Sequence, residues 1–244
     1  MSLRSLLEEL RDFDSALLAN TIGYIDPTPP EELYMDGSIQ SVTPSLGPTV
    51  GVAVTCECDS STPGNKADTA VYWQTLEVVE KMDVPAVWVV RCVGSRPGHE
   101  CLLGDGMAKA LYAAGCVGAV TNGGVRDVAG LLTTPFAAYC RGTTIHHCAL
   151  RFGRLNEPVE VGGLGIRPGD IIHASAEGVI RVPKSCLEIL PARAAQMRAF
   201  EHDAHRVLRR TDMTAAQKGV EVGKLLGQYG FGDCVSQGKR ELKK

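Results

Sequence analysis

The chain has 244 residues, of which 44% are hydrophobic and 22% are charged, a composition typical of globular proteins. Its formal net charge is −3, and no basic run precedes residues 239–244, so nucleic acid is not expected as a main partner. No apolar run approaches the roughly 20 residues that span a bilayer, and the N-terminus lacks the pattern of a secretion signal. We therefore expect a cytoplasmic protein with no membrane partner.

The first part of the chain is predicted to alternate helices with strands. Leucines at helical spacing predict a helix over residues 2–20, with a break near Asp14. A Pro- and Gly-rich stretch at 22–47 is predicted to be irregular. The further predictions, in chain order, are a strand at 49–56, a loop at 59–68, a helix at 69–82, a strand at 85–92, a helix from 104 that stops at Gly115, a strand at 116–121, a helical turn at 128–132 and a strand at 136–139.

The later part is predicted to be rich in β-structure before two closing helices. Residues 160–161 and 171–182 are predicted strands, separated by a turn at 167–170, and helices are predicted at 184–210 and 211–228. No fixed-period repeat or clear linker interrupts the chain. The sequence therefore predicts a single α/β domain over residues 1–244, with helices outside a mixed β core.

The nine cysteines carry no paired spacing. They lie at positions 56, 58, 92, 101, 116, 140, 148, 186 and 234, and no Cys-x-x-Cys occurs. Structural zinc sites and disulfide frameworks normally show such pairs. The pattern favours reduced thiols in the core or on the surface, and a zinc or disulfide role is the alternative.

The segment Gly104-Asp105-Gly106-Met107 opens a predicted helix and is the first candidate binding element. Unpaired N–H groups at a helix N-terminus carry partial positive charge, and glycines let a ligand approach them. The segment matches neither a P-loop nor the dinucleotide-binding Gly-x-Gly-x-x-Gly pattern. The alternative interpretation is a helix capped by the Asp105 side chain, without a ligand.

The dipeptide Arg126-Asp127, which follows Gly123-Gly124, is the second candidate. The planar arginine fork suits a carboxylate or an enolate oxygen, and the adjacent aspartate suits Mg²⁺ or Mn²⁺. Neighbouring side chains on a regular strand point to opposite faces, so a shared site requires a bend, which the two glycines permit. The alternative is a surface turn with an incidental ion pair.

Two histidine pairs are weaker candidates. His146 and His147 are neighbours, and neighbouring positions diverge on any regular element, so a structural role is favoured over a shared metal. His202 and His205 lie three apart on a predicted helix, which could bind a transition metal, although a solvated face is favoured. No Gly-x-Ser-x-Gly elbow supports a hydrolase triad.

Taken together, these segments resemble the RraA-like family, which includes the class II 4-hydroxy-4-methyl-2-oxoglutarate (HMG/CHA) aldolases. The longest matching stretch is GDGMAKALYAAGCVGAVTNGGVRD, at residues 104–127. Further motifs follow in family order, namely Pro135-Phe136-Ala137, Arg141-Gly142, Val161-Gly162-Gly163, Arg167-Pro168-Gly169-Asp170-Ile171 and Glu177-Gly178-Val179-Ile180-Arg181-Val182-Pro183. The resemblance covers about residues 14–215, and residues from about 184 to 244 form a C-terminal helical extension.

The resemblance implies a swivelling-type α/β sandwich assembled as homotrimers or hexamers, with sites between subunits. It implies that Asp127 binds Mg²⁺ or Mn²⁺, partly through waters, and that Arg126 binds the 2-oxo acid and stabilises its enolate. The amides of residues 104–107 would hold the pyruvate carboxylate, with Asp105 near the metal-bound waters. Glu201, from the C-terminal helix of a neighbouring subunit, would help to hold the metal.

The implied activity is a metal-dependent retro-aldol cleavage of a 4-hydroxy-2-oxo acid to pyruvate, together with oxaloacetate decarboxylation. A metal-linked water or Asp105 would take the proton from the 4-hydroxyl group. One alternative is a non-catalytic regulator that binds a ribonuclease, as RraA does. A third hypothesis, methyl transfer to a quinone, lacks the expected glycine-rich nucleoside-binding motif.

The chain departs from the family pattern at several places. Asn122 replaces an aspartate that is common before the glycine, and Ser175 stands where a late motif often has an acid. Segments 22–47 and 59–68 differ from the short aldolases. We expect these two segments to reshape the substrate pocket.

Overall fold

A computed structural model of the chain describes residues 2–232. Its helices are α1 (Leu3–Leu10), α2 (Ser15–Ile25), α3 (Ala70–Glu80), α4 (Asp105–Ala114), α5 (Val128–Thr133), α6 (Leu190–Leu208) and α7 (Ala215–Gln228). Its strands are β1 (Gln40–Ser41), β2 (Thr49–Asp59), β3 (Ala86–Cys92), β4 (Cys101–Leu103), β5 (Cys116–Thr121), β6 (Gly124–Val125), β7 (Ala137–Cys140), β8 (Arg151–Gly153), β9 (Val159–Val161), β10 (Leu164–Ile166), β11 (Ile171–Ser175) and β12 (Gly178–Val182). No helix in this range is both long enough and apolar enough to cross a membrane.

The central sheet is mixed, as predicted. Its strand order is β1-β7-β5-β3-β2-β11-β12, and β8 pairs with the end of β2. The strands β2, β3, β5 and β7 are parallel, whereas β1, β8, β11 and β12 pair antiparallel with their neighbours. Tyr34 forms an antiparallel bridge with Ile180 on β12, which brings the two edges of the sheet towards each other. The predicted α/β class with a mixed β core is confirmed.

Strand β3 lies at the centre of the core and is covered on both faces. Its residues from Ala86 to Val90 are fully buried. Trp88 packs with Tyr72 of α3 and with Leu111 of α4 on one face. Val87 and Val89 pack with residues of the β9–β10 hairpin on the other face. The continuous apolar run therefore reflects two-sided burial, as the sequence predicted.

The N-terminal helix is broken at the predicted position. Asp14 has extended backbone angles, and its Oδ1 accepts a hydrogen bond from the Leu17 amide at 2.7 Å, so it caps α2. The second helix runs to Ile25, into the stretch that was predicted to be irregular. At the other end of the chain, α6 begins at Leu190, because residues 184–189 form turns rather than the predicted first turn of helix.

The eight cysteines within the described range are free, and all but Cys148 are buried. Burial raises the pKa of the Cys56, Cys92 and Cys116 thiols to about 12, which keeps them protonated at neutral pH. The prediction of reduced core thiols is therefore confirmed for these residues. Cys234 lies outside the described residues.

His173 on β11 is a buried polar side chain that the sequence did not single out. Its Nδ1 lies 2.9 Å from Ser15 Oγ, and its Nε2 lies 3.2 Å from the Leu10 carbonyl oxygen. Burial lowers the pKa of this imidazole from 6.5 to about 4. The neutral ring therefore links the first two helices to the sheet.

Acidification is expected to destabilise the fold through His173. Between pH 6.5 and about 4 the unfolded chain binds a proton at this site and the folded chain does not, so the free energy of unfolding falls as pH falls. The loss is on the order of 3 kcal/mol. Urea unfolding at pH 7 and pH 4, compared between the wild type and His173→Asn, measures the effect. The exposed control His202→Asn should keep the full pH dependence. If His173→Asn keeps it too, the prediction is wrong.

Candidate active site

The helix α4 begins at Gly104, which occupies the N-cap position with extended backbone angles. Asp105 is the first helical residue, and no side chain caps this helix end. The interpretation of Asp105 as the capping residue is therefore wrong. An N-terminus without a side-chain cap retains N–H groups that can bind an anion.

Arg126 and Asp127 follow the short strand β6, which pairs in parallel with β4. The Arg126 amide donates a hydrogen bond to the Leu103 carbonyl at 3.0 Å, so the dipeptide lies beside the start of α4. Asp127 itself adopts a left-handed conformation, with φ 56° and ψ 40°. The predicted bend is present, but it lies at Asp127 and not at the glycine pair, neither member of which has a positive φ.

The two candidate segments meet at Gly104. A Cβ atom at this position would overlap Asp127 Oδ2 and would lie 3.0 Å from Arg126 Nε. The Arg126 Nε and Asp127 Oδ2 atoms are themselves 3.4 Å apart. The missing side chain of Gly104 therefore allows the aspartate and the arginine to pack directly against the helix start.

Asp105, the first residue of α4, forms an ion pair with Lys109, with Oδ2 and Nζ 2.5 Å apart. The hydrogen bond from Lys109 holds the pKa of Asp105 below its usual value. Gly130 of α5 packs on this side chain, since a Cβ there would lie 2.5 Å from the Cβ of Asp105. The carboxylate is therefore ionised at neutral pH and is oriented by its neighbours.

The start of α4, Arg126 and Asp127 line a cleft of about 540 Å³. It is lined by residues 101–107, by Arg126 and Asp127 and by residues 146–148. Ala67 and Thr69 also line it, so segment 59–68 contributes at its end. No residue of segment 22–47, all of which the structure describes, lines the cleft within one chain, contrary to the expectation for that segment. The cleft is large enough for a small-molecule ligand. All the predicted residues of the helix start and the Arg-Asp pair share this one cleft.

Two aromatic residues of α3 belong to the cleft and were missed by the sequence reasoning. The Tyr72 hydroxyl donates a hydrogen bond to the Met107 carbonyl at 3.2 Å, and Trp73 lines the cleft while remaining 58% exposed. Both lie on a helix that the sequence predicted, but helical periodicity does not show which tertiary neighbour a face will have. The exposure of Trp73 and its place in the cleft are properties of the tertiary structure, so the sequence offered no signal for them.

The two histidine pairs lie in different places relative to the cleft. His146 and His147 are exposed and line the cleft, and the preference for a structural role over a shared metal stays a prediction. They lie in a segment without regular secondary structure, where the divergence argued for helices and strands does not apply. His202 and His205 are exposed on α6, as expected for a solvated face.

Glu201 does not lie in this cleft within one chain. It is on α6, where its Oε1 accepts a hydrogen bond from Asn20 Nδ2 of α2 at 3.2 Å. The helix α6 packs against α1, α2 and α7, whereas the cleft is built by α3, α4 and the segments after β4, β6 and β7. A role for Glu201 in the site therefore remains a prediction about a neighbouring subunit.

Asn122, one of the departures from the family pattern, links two strand ends behind the site. Its Oδ1 accepts from the Cys92 amide at 2.6 Å, and its Nδ2 donates to the Cys92 carbonyl at 3.1 Å. An aspartate could not donate the second bond. The other departure, Ser175, is buried and accepts a hydrogen bond from the Ser15 amide at 3.2 Å.

The donor set of the cleft fits a hydrated divalent cation better than a fully protein-bound one. Within residues 2–232, no group of three or more His, Cys, Asp or Glu side chains is arranged to hold a metal ion. Asp127 presents a half-exposed carboxylate to the cleft, which Asp105 also lines. Mg²⁺ keeps several waters and needs only one or two protein carboxylates. One carboxylate with open space around it meets that requirement.

The chain is an α/β protein in which the start of α4, at Gly104, contacts Arg126 and Asp127. The sequence profile described as RraA-like (Aldolase/RraA) matches residues 30–181, which is more than half of the chain. The chain therefore belongs to the RraA-like family.

Curated relatives match only in part. A protein of Halalkalibacterium halodurans named "Putative 4-hydroxy-4-methyl-2-oxoglutarate aldolase" is 36% identical over 104 residues, which are 42% of this chain and 48% of that protein. Protein DlpA of Legionella pneumophila is 26% identical over 202 residues, which are 81% of this chain and 30% of that protein. The chain thus spans about half, or less, of the length of these relatives.

Solved structures show the same fold. An uncharacterized protein of Pseudomonas syringae pv. tomato has a TM-score of 0.67 at 20% identity, covering 90% of this chain and 95% of its own. RraAS2 of Streptomyces coelicolor, described as an unusual member of the RNase ES inhibitor RraA family, has a TM-score of 0.65 at 23% identity. That match covers 82% of this chain and 96% of the other. The predicted family and fold are confirmed.

Proposed function

We propose that this protein is a divalent-metal-dependent lyase that cleaves a 4-hydroxy-2-oxo acid to pyruvate and also decarboxylates oxaloacetate. The observation that carries the proposal is the contact of Gly104 with both Arg126 and Asp127. It brings an anion-binding helix start, a cation and a carboxylate to one end of one cleft. Both reactions form a pyruvate enolate, and these three groups are what an enolate with an adjacent carboxylate requires.

Each group has a distinct part in the proposed reaction. The N–H groups at the start of α4 bind the carboxylate of the 2-oxo acid. The Arg126 guanidinium donates hydrogen bonds to the oxygen on which negative charge develops as the bond between C3 and C4 breaks. Asp105, or a water beside it, accepts the proton of the 4-hydroxyl group. Because the hydrogen bond from Lys109 lowers the pKa of Asp105, this carboxylate is unprotonated at neutral pH. It can therefore accept a proton, although it is a weak base.

Asp127 would hold the metal, with waters and substrate oxygens as the further ligands. The metal supplies Lewis-acid stabilisation of the developing negative charge when it is bound. Asp127 also lies 3.4 Å from Arg126, so it fixes the direction of the guanidinium across the helix start. Mg²⁺ and Mn²⁺ both suit oxygen ligands of this kind.

The active assembly in this proposal is a homotrimer or hexamer. Three residues that line the cleft, Trp73, His146 and His147, are exposed in the single chain. Glu201 does not line the cleft of its own chain, where it accepts a hydrogen bond from Asn20, so this proposal places it in the metal shell of a neighbouring copy. The names of the aldolase relatives support the lyase proposal for the segments that they share with this chain.

Pyruvate release tests the proposal directly. The metal-free protein is incubated with oxaloacetate and with a panel of 4-hydroxy-2-oxo acids, with Mg²⁺, Mn²⁺ or no metal, and pyruvate is measured by a coupled dehydrogenase. We expect metal-dependent turnover of oxaloacetate and of at least one hydroxy-oxo acid. Absence of turnover on every compound would overturn the lyase proposal. Capture of a ribonuclease in that case would favour the RraA-type regulator instead.

A further inference from the structure

The candidate active-site cleft offers a ligand one permanent positive charge. Of the described residues that line it, only Arg126 is an arginine or a lysine, and its guanidinium is already paired with Asp127. Most of the other side chains in the lining are apolar or aromatic, among them Tyr72, Trp73 and Leu150. A second carboxylate on a ligand would therefore lose hydration in the cleft without gaining a permanent cation as its partner.

Tyr72 and Trp73, in the first turn of α3, form an aromatic wall of this cleft. Their ring centroids are 5.3 Å apart and their planes meet at 67°, the edge-to-face arrangement that aromatic pairs prefer. The Tyr72 ring is buried and also contacts the rings of Trp88 and Phe152, each at 5.9 Å between centroids. The core therefore holds Tyr72, and Tyr72 supports the exposed Trp73 ring before any ligand binds, which lowers the entropic cost of a contact with that ring.

The aromatic wall is joined directly to the start of α4. The Tyr72 hydroxyl donates its hydrogen bond to the carbonyl of Met107, which lies in the first turn of the helix that begins at Gly104. The Asp68 amide donates to the Leu150 carbonyl at 2.9 Å, which fixes the chain just before α3. The wall therefore lies beside the helix start at which the carboxylate of the 2-oxo acid is proposed to bind.

We propose that the aromatic wall, through Trp73, contacts an uncharged aromatic group on C4 of the substrate. The inference rests on the proposed function, which places the 2-oxo acid end of the substrate at Gly104 and Arg126. It makes Trp73 a specificity-determining residue. It makes the preferred substrate a 4-hydroxy-2-oxo acid with an aryl group on C4, which is cleaved to pyruvate and an aromatic aldehyde.

The aryl substrate needs no chemistry beyond the proposed retro-aldol step. The bond between C3 and C4 breaks, and its electron pair remains on the pyruvate half as the enolate. The base takes the proton of the 4-hydroxyl group, and C4 becomes the carbonyl carbon of the aldehyde. The enolate then takes up one proton at C3, so the step requires no oxidant or further reactant.

Binding of three matched acids tests the inference. 2-Oxo-4-phenylbutanoate, 2-oxopentanoate and 2-oxoglutarate share the 2-oxo acid end and carry a phenyl, a methyl and a carboxylate group on C4. None has a 4-hydroxyl group, so none is cleaved, and calorimetry in the presence of Mg²⁺ measures their dissociation constants. We expect the wild type to bind the phenyl compound about tenfold more tightly than the methyl compound, and the carboxylate compound no more tightly than the methyl compound.

Substitutions assign this preference to Trp73. Trp73→Ala should reduce the preference for the phenyl compound to within about twofold, and Trp73→Phe, which keeps an aromatic ring, should retain most of it. Tyr34→Ala removes an exposed aromatic side chain that does not line the cleft, and should leave the preference unchanged. A preference that survives Trp73→Ala would overturn the assignment to the aromatic wall.

The fluorescence of Trp73 reports the contact without any turnover. The chain has two tryptophans, and the other, Trp88, is fully buried. 2-Oxo-4-phenylbutanoate should change the tryptophan emission of the wild type, 2-oxopentanoate should leave it nearly unchanged, and Trp73→Phe should abolish the response. Binding of the phenyl compound without a change in emission would contradict a contact with Trp73.

Turnover separates this inference from the lyase proposal. Trp73→Ala should lower kcat/KM for 4-hydroxy-2-oxo-4-phenylbutanoate about tenfold more than for 4-hydroxy-2-oxopentanoate. If the wild type turns over oxaloacetate but binds the three analogues equally, or prefers 2-oxoglutarate, the aromatic subsite is wrong and the lyase proposal stands. Absence of turnover on oxaloacetate and on every hydroxy-oxo acid would overturn the lyase proposal, and with it the assignment of the C4 group.

Discussion

Asp127→Asn is expected to reduce metal-dependent pyruvate release from oxaloacetate by about 10²–10³-fold. The change removes the negative charge that would hold the cation and keeps the size of the side chain. Asparagine also tolerates the left-handed backbone that residue 127 adopts at φ 56°. The loss of turnover should therefore come from the missing charge and not from a distorted turn. An alanine at position 127 would not separate these two causes.

Two measurements complete this test. Mn²⁺ binding, followed by electron paramagnetic resonance, should weaken in the variant together with turnover. Asp12→Asn changes an exposed aspartate between α1 and α2, away from the cleft, and should leave both properties unchanged. If Asp127→Asn keeps wild-type turnover and Mn²⁺ affinity, Asp127 does not hold the metal.

Gly104→Ala is expected to reduce turnover by about 100-fold with only a small change in stability. The φ of Gly104 is −125°, which alanine adopts freely, so the effect is steric. The new Cβ would overlap Asp127 Oδ2 and crowd the Arg126 side chain, which lies 3.0 Å away at Nε. These side chains are 45% and 31% exposed, so they can move aside, and the displacement disrupts the site and not the core.

The comparison of activity with stability decides whether this explanation holds. Urea unfolding of Gly104→Ala should differ from the wild type by no more than about 1 kcal/mol. Gly223→Ala adds the same methyl group to α7, where nothing lies within 4 Å of the new atom, and should retain full turnover. Wild-type kcat/KM in Gly104→Ala would show that the contact between the helix start and the Arg-Asp pair is not needed for the reaction.

The strongest elements of the fold were predictable because their signals are local. The apolar run of β3, the stop of α4 at Gly115 and the break at Asp14 each depend on periodicity or on the chemistry of a few adjacent residues. The strands β4 and β6 were missed because two or three residues are too short to show an alternating pattern. They are strands only because they pair with each other, at the point where both candidate segments begin.

The sequence by itself determined the chemical groups of the candidate site: a glycine-flanked helix start, an arginine that suits a carboxylate and an aspartate that suits a hard cation. The tertiary structure decided that these groups share one cleft, because the parallel pairing of β4 with β6 places Arg126 beside Leu103 and Gly104. It also decided that the bend lies at Asp127, and that His146 and Trp73 face the cleft. Such contacts join residues distant in sequence, and no local pattern of side chains encodes them.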